Sequence, residues 1–189
     1  MNYEDDLKSA LNTLKAGGVI LYPTDTIWGL GCDSTNAEAV ERIYNIKQRS
    51  DSKSLIILTD NINRIQQYVK NVPEIAYELM DVTDTPLTII YPGAKNLALN
   101  LVADDASVGI RVCSDDFCNE LIRRFRKPIV STSANISNNA SPSNFSEISK
   151  QIIDSVDYVV THRQNDYEKH SPSSIIKIES NGAIKIIRK

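Results

Sequence analysis

The 189-residue chain is 41% hydrophobic and 24% charged, long enough to bury a substantial core as one domain over residues 1–189 and too apolar to be disordered. Its 21 Lys and Arg against 24 Asp and Glu leave a formal charge of −3, which excludes a bulk positive field for nucleic acid and leaves room only for a local basic patch. The three cysteines Cys32, Cys113 and Cys118 lack metal-site spacing and read as buried thiols of a reducing compartment, and no apolar run is long enough to span a bilayer, so a cytoplasmic protein without a membrane partner is expected.

Leu7, Ala10, Leu11 and Leu14 recur at helical spacing, and Gly17-Gly18 can end that helix. Val19-Ile20-Leu21 reads as a short buried strand. Asn36 can cap a second helix carrying Ala37, Val40, Ile43, Tyr44 and Lys47, which makes residues 23–34 a polar loop joining strand to helix. Leu55 to Leu58 is a second strand, Asn61 to Val69 and Pro73 to Met80 are helical, and Pro86 to Tyr91 resumes strand character. Val108 to Val112 is a strand, and Ser114-Asp115-Asp116 starts a helix burying Phe117, Leu121, Ile122 and Phe125. Pro128-Ile129-Val130 then leads into a serine-rich segment that could itself be a turn. A loop over 138–144, a helix near Phe145 to Ile153 and a strand at Tyr158 to Val160 precede a closing hairpin around Asn181-Gly182. Helices alternating with strands and a terminal hairpin predict an α/β fold with a twisted, mixed sheet and flanking helices.

Three polar segments interrupt this pattern: Tyr22 to Gly31 (YPTDTIWGLG), Lys47-Gln48-Arg49, and Ser131-Thr132-Ser133-Ala134-Asn135. Each follows apolar sequence, and together they suggest an anionic-ligand cleft at the ends of strands. Arg111 belongs to the same set, because strand alternation buries it and a buried arginine needs an anionic partner, either a ligand or a structural carboxylate. Lys47 and Arg49, at i and i+2, can converge only where their helix is ending. The phosphate loop G-x-x-x-x-G-K-[ST] is absent, and Gly29-Leu30-Gly31 lacks the third glycine of a dinucleotide fingerprint. With only His162 and His170 in the chain, a His-rich metal site is excluded, and both read as loop histidines.

In order and spacing the segments resemble the YrdC-like threonylcarbamoyl-AMP synthases: Y-P-T-[DE]-T-x-[YW]-G-L-G at Tyr22 to Gly31, K-x-R at Lys47 and Arg49, and S-x-N at Ser133 and Asn135. The likeness continues through Pro86-Leu87-Thr88, Pro92-Gly93, Val108 to Val112 and Pro172-Ser173-Ser174. It implies a YrdC-like fold with an open cleft lined by polar and basic residues. It also implies condensation of L-threonine, bicarbonate or carbon dioxide, and ATP to threonylcarbamoyl-adenylate and pyrophosphate, for threonylcarbamoyl-adenosine modification of tRNA. Implied with it are ATP as substrate, Mg2+ carried on ATP with no protein metal ligands, downstream threonylcarbamoyl-transfer proteins, and at most a weak contact with tRNA.

Carried over position by position, the resemblance makes Lys47 and Arg49 the catalytic pair on the nucleotide phosphates. Thr26, Arg111, Ser131, Ser173 and Lys53 fall to threonine, and Ser107, Ser133, Asn135, Ser141 and Arg188 to the nucleotide. The chain departs from the family after K-x-R, where Ser50, Lys53 and Ser54-Leu55 replace a Pro, His or Lys, Pro-Leu pattern; Lys53 is the expected substitute cation. Longer relatives carry a further C-terminal domain, and this sequence reads as the minimal single-domain form. Three alternatives stay open: an RNA-binding or ribosome-maturation module of the same fold, a carbamoyl-transfer module like that of hydrogenase maturation proteins, and a nucleotide and threonine binder without turnover.

Overall fold

The structure is a computed structural model and describes residues 2–48 and 55–189. Helix α1 (Tyr3–Lys15) forms where expected: the Asn2 side chain accepts from the Asp5 amide, acids fill the first turn, Lys15 sits in the last, and Leu7, Ala10 and Leu14 are buried. Strand β1 (Ile20–Tyr22) follows. Asn36 caps α2 (Ala37–Ile46) by accepting from the Glu38 and Ala39 amides, and Lys47 is its C-cap, where the sequence requires the helix to end.

Within the predicted 23–34 loop lies a strand, β2 (Gly29–Gly31), paired antiparallel to β1. Its glycines hide it from propensity, yet the pairing depends on one of them. A Cβ on Gly31 would stand 2.6 Å from Tyr22 Cε1 and 3.0 Å from the Val130 carbonyl. The remaining strands are β3 (Ile56–Thr59), β4 (Leu87–Pro92), β5 (Ser107–Val112), β6 (Ile129–Ser133), β7 (Tyr158–Val159), β8 (Ser174–Ile178) and β9 (Ile184–Arg188). Ser131 to Ser133 of the serine-rich segment are therefore strand, while Ala134 and Asn135 lie in the bend that follows it. Helices α3 (Glu74–Asp81) and α4 (Asp116–Phe125) match their patterns, with Asp115 accepting from the Cys118 amide as the cap of α4.

Two expected helices are reduced. Residues Ile62–Gln67 form a 3₁₀ helix, in keeping with apolar residues spaced by three at Ile62 and Ile65. The 145–153 segment splits into a 3₁₀ turn (Phe145–Glu147) and α5 (Lys150–Ile153), because Ser149 caps a new turn by accepting from the Ile152 amide. The terminal hairpin turns over Glu179 to Gly182, closed by the Gly182 amide on the Glu179 carbonyl, with only Gly182 at positive φ (84°). That is a turn followed by a left-handed glycine, not the two-residue turn Asn-Gly suggests.

The nine strands of the described residues form one sheet in the order β7-β1-β2-β6-β3-β5-β4-β8-β9. Pairs β1–β7, β3–β5 and β4–β8 are parallel and the rest antiparallel. Register places Leu30, Val130, Ile57, Ile110, Ile89 and Ile176 on one face, all buried. Side chains of this size contribute about 1.5–3 kcal/mol each when fully buried, so this face anchors the sheet. All three cysteines are free and buried. Among the described residues no helix is long and apolar enough to cross a membrane.

Candidate active site

Because successive strand residues alternate faces, the face opposite that apolar layer is fixed by the same register. Ser133 stands opposite Gly29, Ile56 opposite both Ser131 and Gly109, Thr88 opposite both Arg111 and Ile175, and Ile175 opposite Arg188. Hydroxyls and guanidinium groups thus cross the sheet from β2 to β9. This stripe floors an open cavity of about 620 Å³. The cleft lies on a face of the sheet, not at a shared strand end. The reason is topological: β6, which carries the serines, runs antiparallel to β3, and β3 runs parallel to β5, which carries Arg111.

Nine of the twelve predicted site residues line this cavity: Thr26, Lys47, Arg111, Ser131, Ser133, Asn135, Ser141, Ser173 and Arg188. Ser107 shares the Arg111 face of β5 four residues away, outside the cavity lining, and its hydroxyl donates to Asp105 at 2.6 Å. Arg49 and Lys53, with the altered 50–54 segment, lie outside the described residues. Sequence reasoning gave no role to Trp28, Thr132 or Ser137, which also line the cavity. Ser137 Oγ is buried without a hydrogen-bond partner among the described residues. Its position two residues beyond the S-x-N element was the available signal.

Lys47 is 3% exposed. Its Nζ donates to the carbonyls of Ser133 at 2.6 Å and Asn135 at 2.8 Å, and its own carbonyl accepts from the Ser137 amide at 2.9 Å. The ammonium therefore pins the end of β6 to the end of α2 while remaining on the cavity wall. Asn135 extends the lock, donating through Nδ2 to the Asn139 carbonyl at 2.6 Å.

Arg111 does have a carboxylate within the chain. Its Nη2 lies 3.0 Å from Asp25 Oδ1, both side chains being 4% exposed. This is a charge contact without hydrogen-bond alignment, and Arg111 Nε is buried with no hydrogen-bond partner among the described residues. Asp25 is held from behind, its Oδ2 accepting from the Ser114 amide at 3.2 Å. Across the cavity Arg188 donates from Nε to the Ser173 carbonyl at 3.0 Å. Burial, and then the neighbouring Arg111 charge, lower its pKa. Two guanidinium groups close enough to disfavour one another mark a place that an anion would relieve. Ser173 Oγ and Thr88 Oγ1 are 2.8 Å apart.

No Asp or Glu lines the cavity among the described residues, so the charged side chains on its wall are cations, set among hydroxyls, amides and apolar groups such as Trp28 and Ile187. Such a wall can neutralise and align anions. Neither histidine lines it: His162 stacks on the Phe117 ring and His170 Nε2 lies 3.2 Å from Asp166.

The Sua5/YciO/YrdC family profile, described as "Telomere recombination", matches residues 12–189. The threonylcarbamoyl-AMP synthase of Pseudoalteromonas translucida is 34% identical over 163 residues, covering 85% of this chain and 87% of that protein. A putative threonylcarbamoyl-AMP synthase of Methanocaldococcus jannaschii is 36% identical over 188 residues, covering 97% and 87%. The crystal structure of P. abyssi Sua5 complexed with L-threonine superposes with a TM-score of 0.81 at 22% identity, which shows a common fold; it covers 94% of this chain, and the chain spans about half of it, 52%. By profile, identity and coverage, the chain belongs to the Sua5/YciO/YrdC family.

Proposed function

We infer that this protein is a threonylcarbamoyl-AMP synthase, a nucleotidyltransferase that uses ATP. The observation that carries the reading is the convergence of nine predicted residues, from six separate parts of the chain, on one cavity that no Asp or Glu lines among the described residues. The likeness to synthases over most of the chain gives the reaction.

In that reaction the α-amine of threonine adds to carbon dioxide, a proton is lost and a carbamate forms. A carbamate oxygen then attacks the α-phosphorus of ATP, and the bond to the bridging β-phosphate oxygen breaks to release pyrophosphate. Two anions must meet, so the protein's work is neutralisation and alignment. Lys47 and Arg49 serve the phosphates, and Lys47 is already fixed by two carbonyls that cost it no reorganisation. Arg111 takes the threonine carboxylate while Thr26, Ser131, Ser173 and Lys53 complete its surroundings. Ser133, Asn135, Ser141 and Arg188 face the nucleotide, and Ser107 supports that side from the same strand face.

Magnesium would supply further charge neutralisation on the phosphates. The cavity fits an ion that arrives with ATP, since its hydroxyl and amide oxygens can meet a hydrated cation and no carboxylate lines it among the described residues. The product would pass to a threonylcarbamoyl-transfer system acting on tRNA, with weak or no tRNA contact here, in line with the −3 charge.

The test is mass detection of threonylcarbamoyl-adenylate with purified protein, magnesium, ATP, bicarbonate and threonine, each substrate omitted in turn. Product only in the complete mixture is expected. No product, together with tight salt-dependent RNA binding, would replace this reading with the RNA-binding one.

A further inference from the structure

The loop between β1 and β2 carries a hydroxyl that reaches the cavity wall, at Thr26, and a second one behind it, at Thr24, which does not line the cavity. Thr24 is 1% exposed. Its Oγ1 sits 2.8 Å from the Ile27 carbonyl. A carbonyl can only accept, so the single hydroxyl proton of Thr24 is committed to it. The Thr24 oxygen then has only lone pairs left. It accepts from the Thr26 amide at 3.1 Å, and Thr26 Oγ1 lies 3.0 Å away. With the Thr24 proton already spent, the proton between the two hydroxyls must come from Thr26. The Thr26 amide and hydroxyl fill the two lone pairs of that oxygen, and Arg111 Nη2, at 3.5 Å, is too distant to displace the hydroxyl at 3.0 Å.

We propose that Thr24 is a positioning residue that turns the Thr26 hydroxyl into a pure acceptor toward the cavity, so that the substrate group seated there must be a hydrogen-bond donor. This rests on the synthase reading and deepens it. For a bound threonine the donor has two sources, the side-chain hydroxyl and the α-amine. An apolar or acceptor-only group at that place would leave a buried lone pair unmet, which is how a polar site rejects an analogue lacking its hydroxyl. The chain of bonds from Ile27 through Thr24 to Thr26 is local to one loop, so its direction is set before any ligand arrives.

The experiment compares wild type, Thr24→Val, Thr24→Ser, Thr26→Val and the Thr24→Val/Thr26→Val pair, with melting curves to establish folding. It measures Kd by calorimetry and KM by product formation, for L-threonine and for L-2-aminobutyrate, which lacks only the hydroxyl. Thr24→Val is expected to raise the threonine Kd and KM roughly three- to tenfold with kcat little changed, and Thr24→Ser to restore both. Thr24→Val is expected to add no further loss in the Thr26→Val background, whereas a merely structural Thr24 would add its full cost there. If the donor is the side-chain hydroxyl, Thr24→Val also shrinks the preference for threonine over 2-aminobutyrate; if it is the α-amine, both ligands weaken by the same factor. Either result supports the proposal. Unchanged threonine Kd in folded Thr24→Val, or additive losses in the double variant, overturns it. Should the valine variant not fold, failure of Thr24→Ser to keep wild-type affinity and preference overturns it instead. A wild-type protein that binds no threonine and makes no product overturns the synthase reading itself, an outcome distinct from all of these.

Discussion

At the scale of single residues the cavity is lined by groups that also hold the fold. Lys47 is the clearest instance, since its ammonium satisfies the Ser133 and Asn135 carbonyls and stands on the cavity wall. Lys47→Ala is therefore expected to fail twice. Product formation should fall more than tenfold, as for loss of any preorganised cation at a transferring phosphate. The melting temperature should fall as well, because two part-buried carbonyls lose a charged donor worth up to about 1.5–3 kcal/mol each. Arg49→Ala is expected to show the rate loss of the same order. Lys47→Ala with unchanged turnover would remove the ammonium from the mechanism, and an unchanged melt would remove it from the fold. Arg111 shows a related economy: Asp25 balances its charge without aligned hydrogen bonds, which leaves donor capacity for a carboxylate.

Elements explain what the sequence discloses and what it hides. Arg111 is legible because alternation in Val108 to Val112 buries it, and α2 is legible from its Asn36 cap and the apolar spacing of Val40, Ile43 and Tyr44. β2 is hidden, since Gly-Leu-Gly has no strand propensity and is selected by space: Tyr22 and Val130 leave no room for a Cβ at Gly31. Gly31→Ala should accordingly destabilise the protein by about 1–3 kcal/mol, read as a lower urea midpoint with an unchanged slope. A neutral result would show that β2 can shift away from Tyr22. The side of the sheet on which the serines meet Arg111 is equally hidden, because strand direction is a tertiary fact. A second element-level device ties β8 to the loop before β5. Lys177 Nζ lies 2.6 Å from Asp105 Oδ2, and that ammonium, then the Ser107 hydroxyl, hold the Asp105 carboxyl down from its ordinary 3.8 to about 2. A lowered folded-state pKa contributes stability above the unfolded value, lost as pH falls through the folded one. Wild type should thus exceed Asp105→Asn in urea midpoint at pH 5, with most of the difference lost by pH 2 and the rest below it. Because Asp105 is half exposed, the difference should also shrink in high salt.

For the whole molecule, the cavity stripe crosses strands that are remote in sequence: β2, β6, β3, β5, β4, β8 and β9 each place a residue on or beside it. A ligand that bridges Lys47 on one side and Arg188 on the other clamps both halves of the sheet, and it binds only when the whole register is formed. Unfolded chain offers no such convergence, so ligand binding must appear as global stability. At a hundred times Kd the gain is about 2.7 kcal/mol, which for a domain of this size raises the melting temperature by roughly 5–10 °C. ATP with magnesium and threonine, each at a hundred times its own Kd, should each produce a rise of this order. The Arg111 charge that lowers the Arg188 pKa predicts in addition that the first anion bound in the cavity both line relieves that repulsion and brings much of the electrostatic gain. Melting curves over a concentration series of ATP, threonine and both together check this. The shift should grow with the logarithm of ligand concentration once past Kd, and Lys47→Ala should abolish the ATP part while sparing the threonine part. A shift that is independent of concentration, or equal in wild type and Lys47→Ala for both ligands, would place binding somewhere other than this stripe.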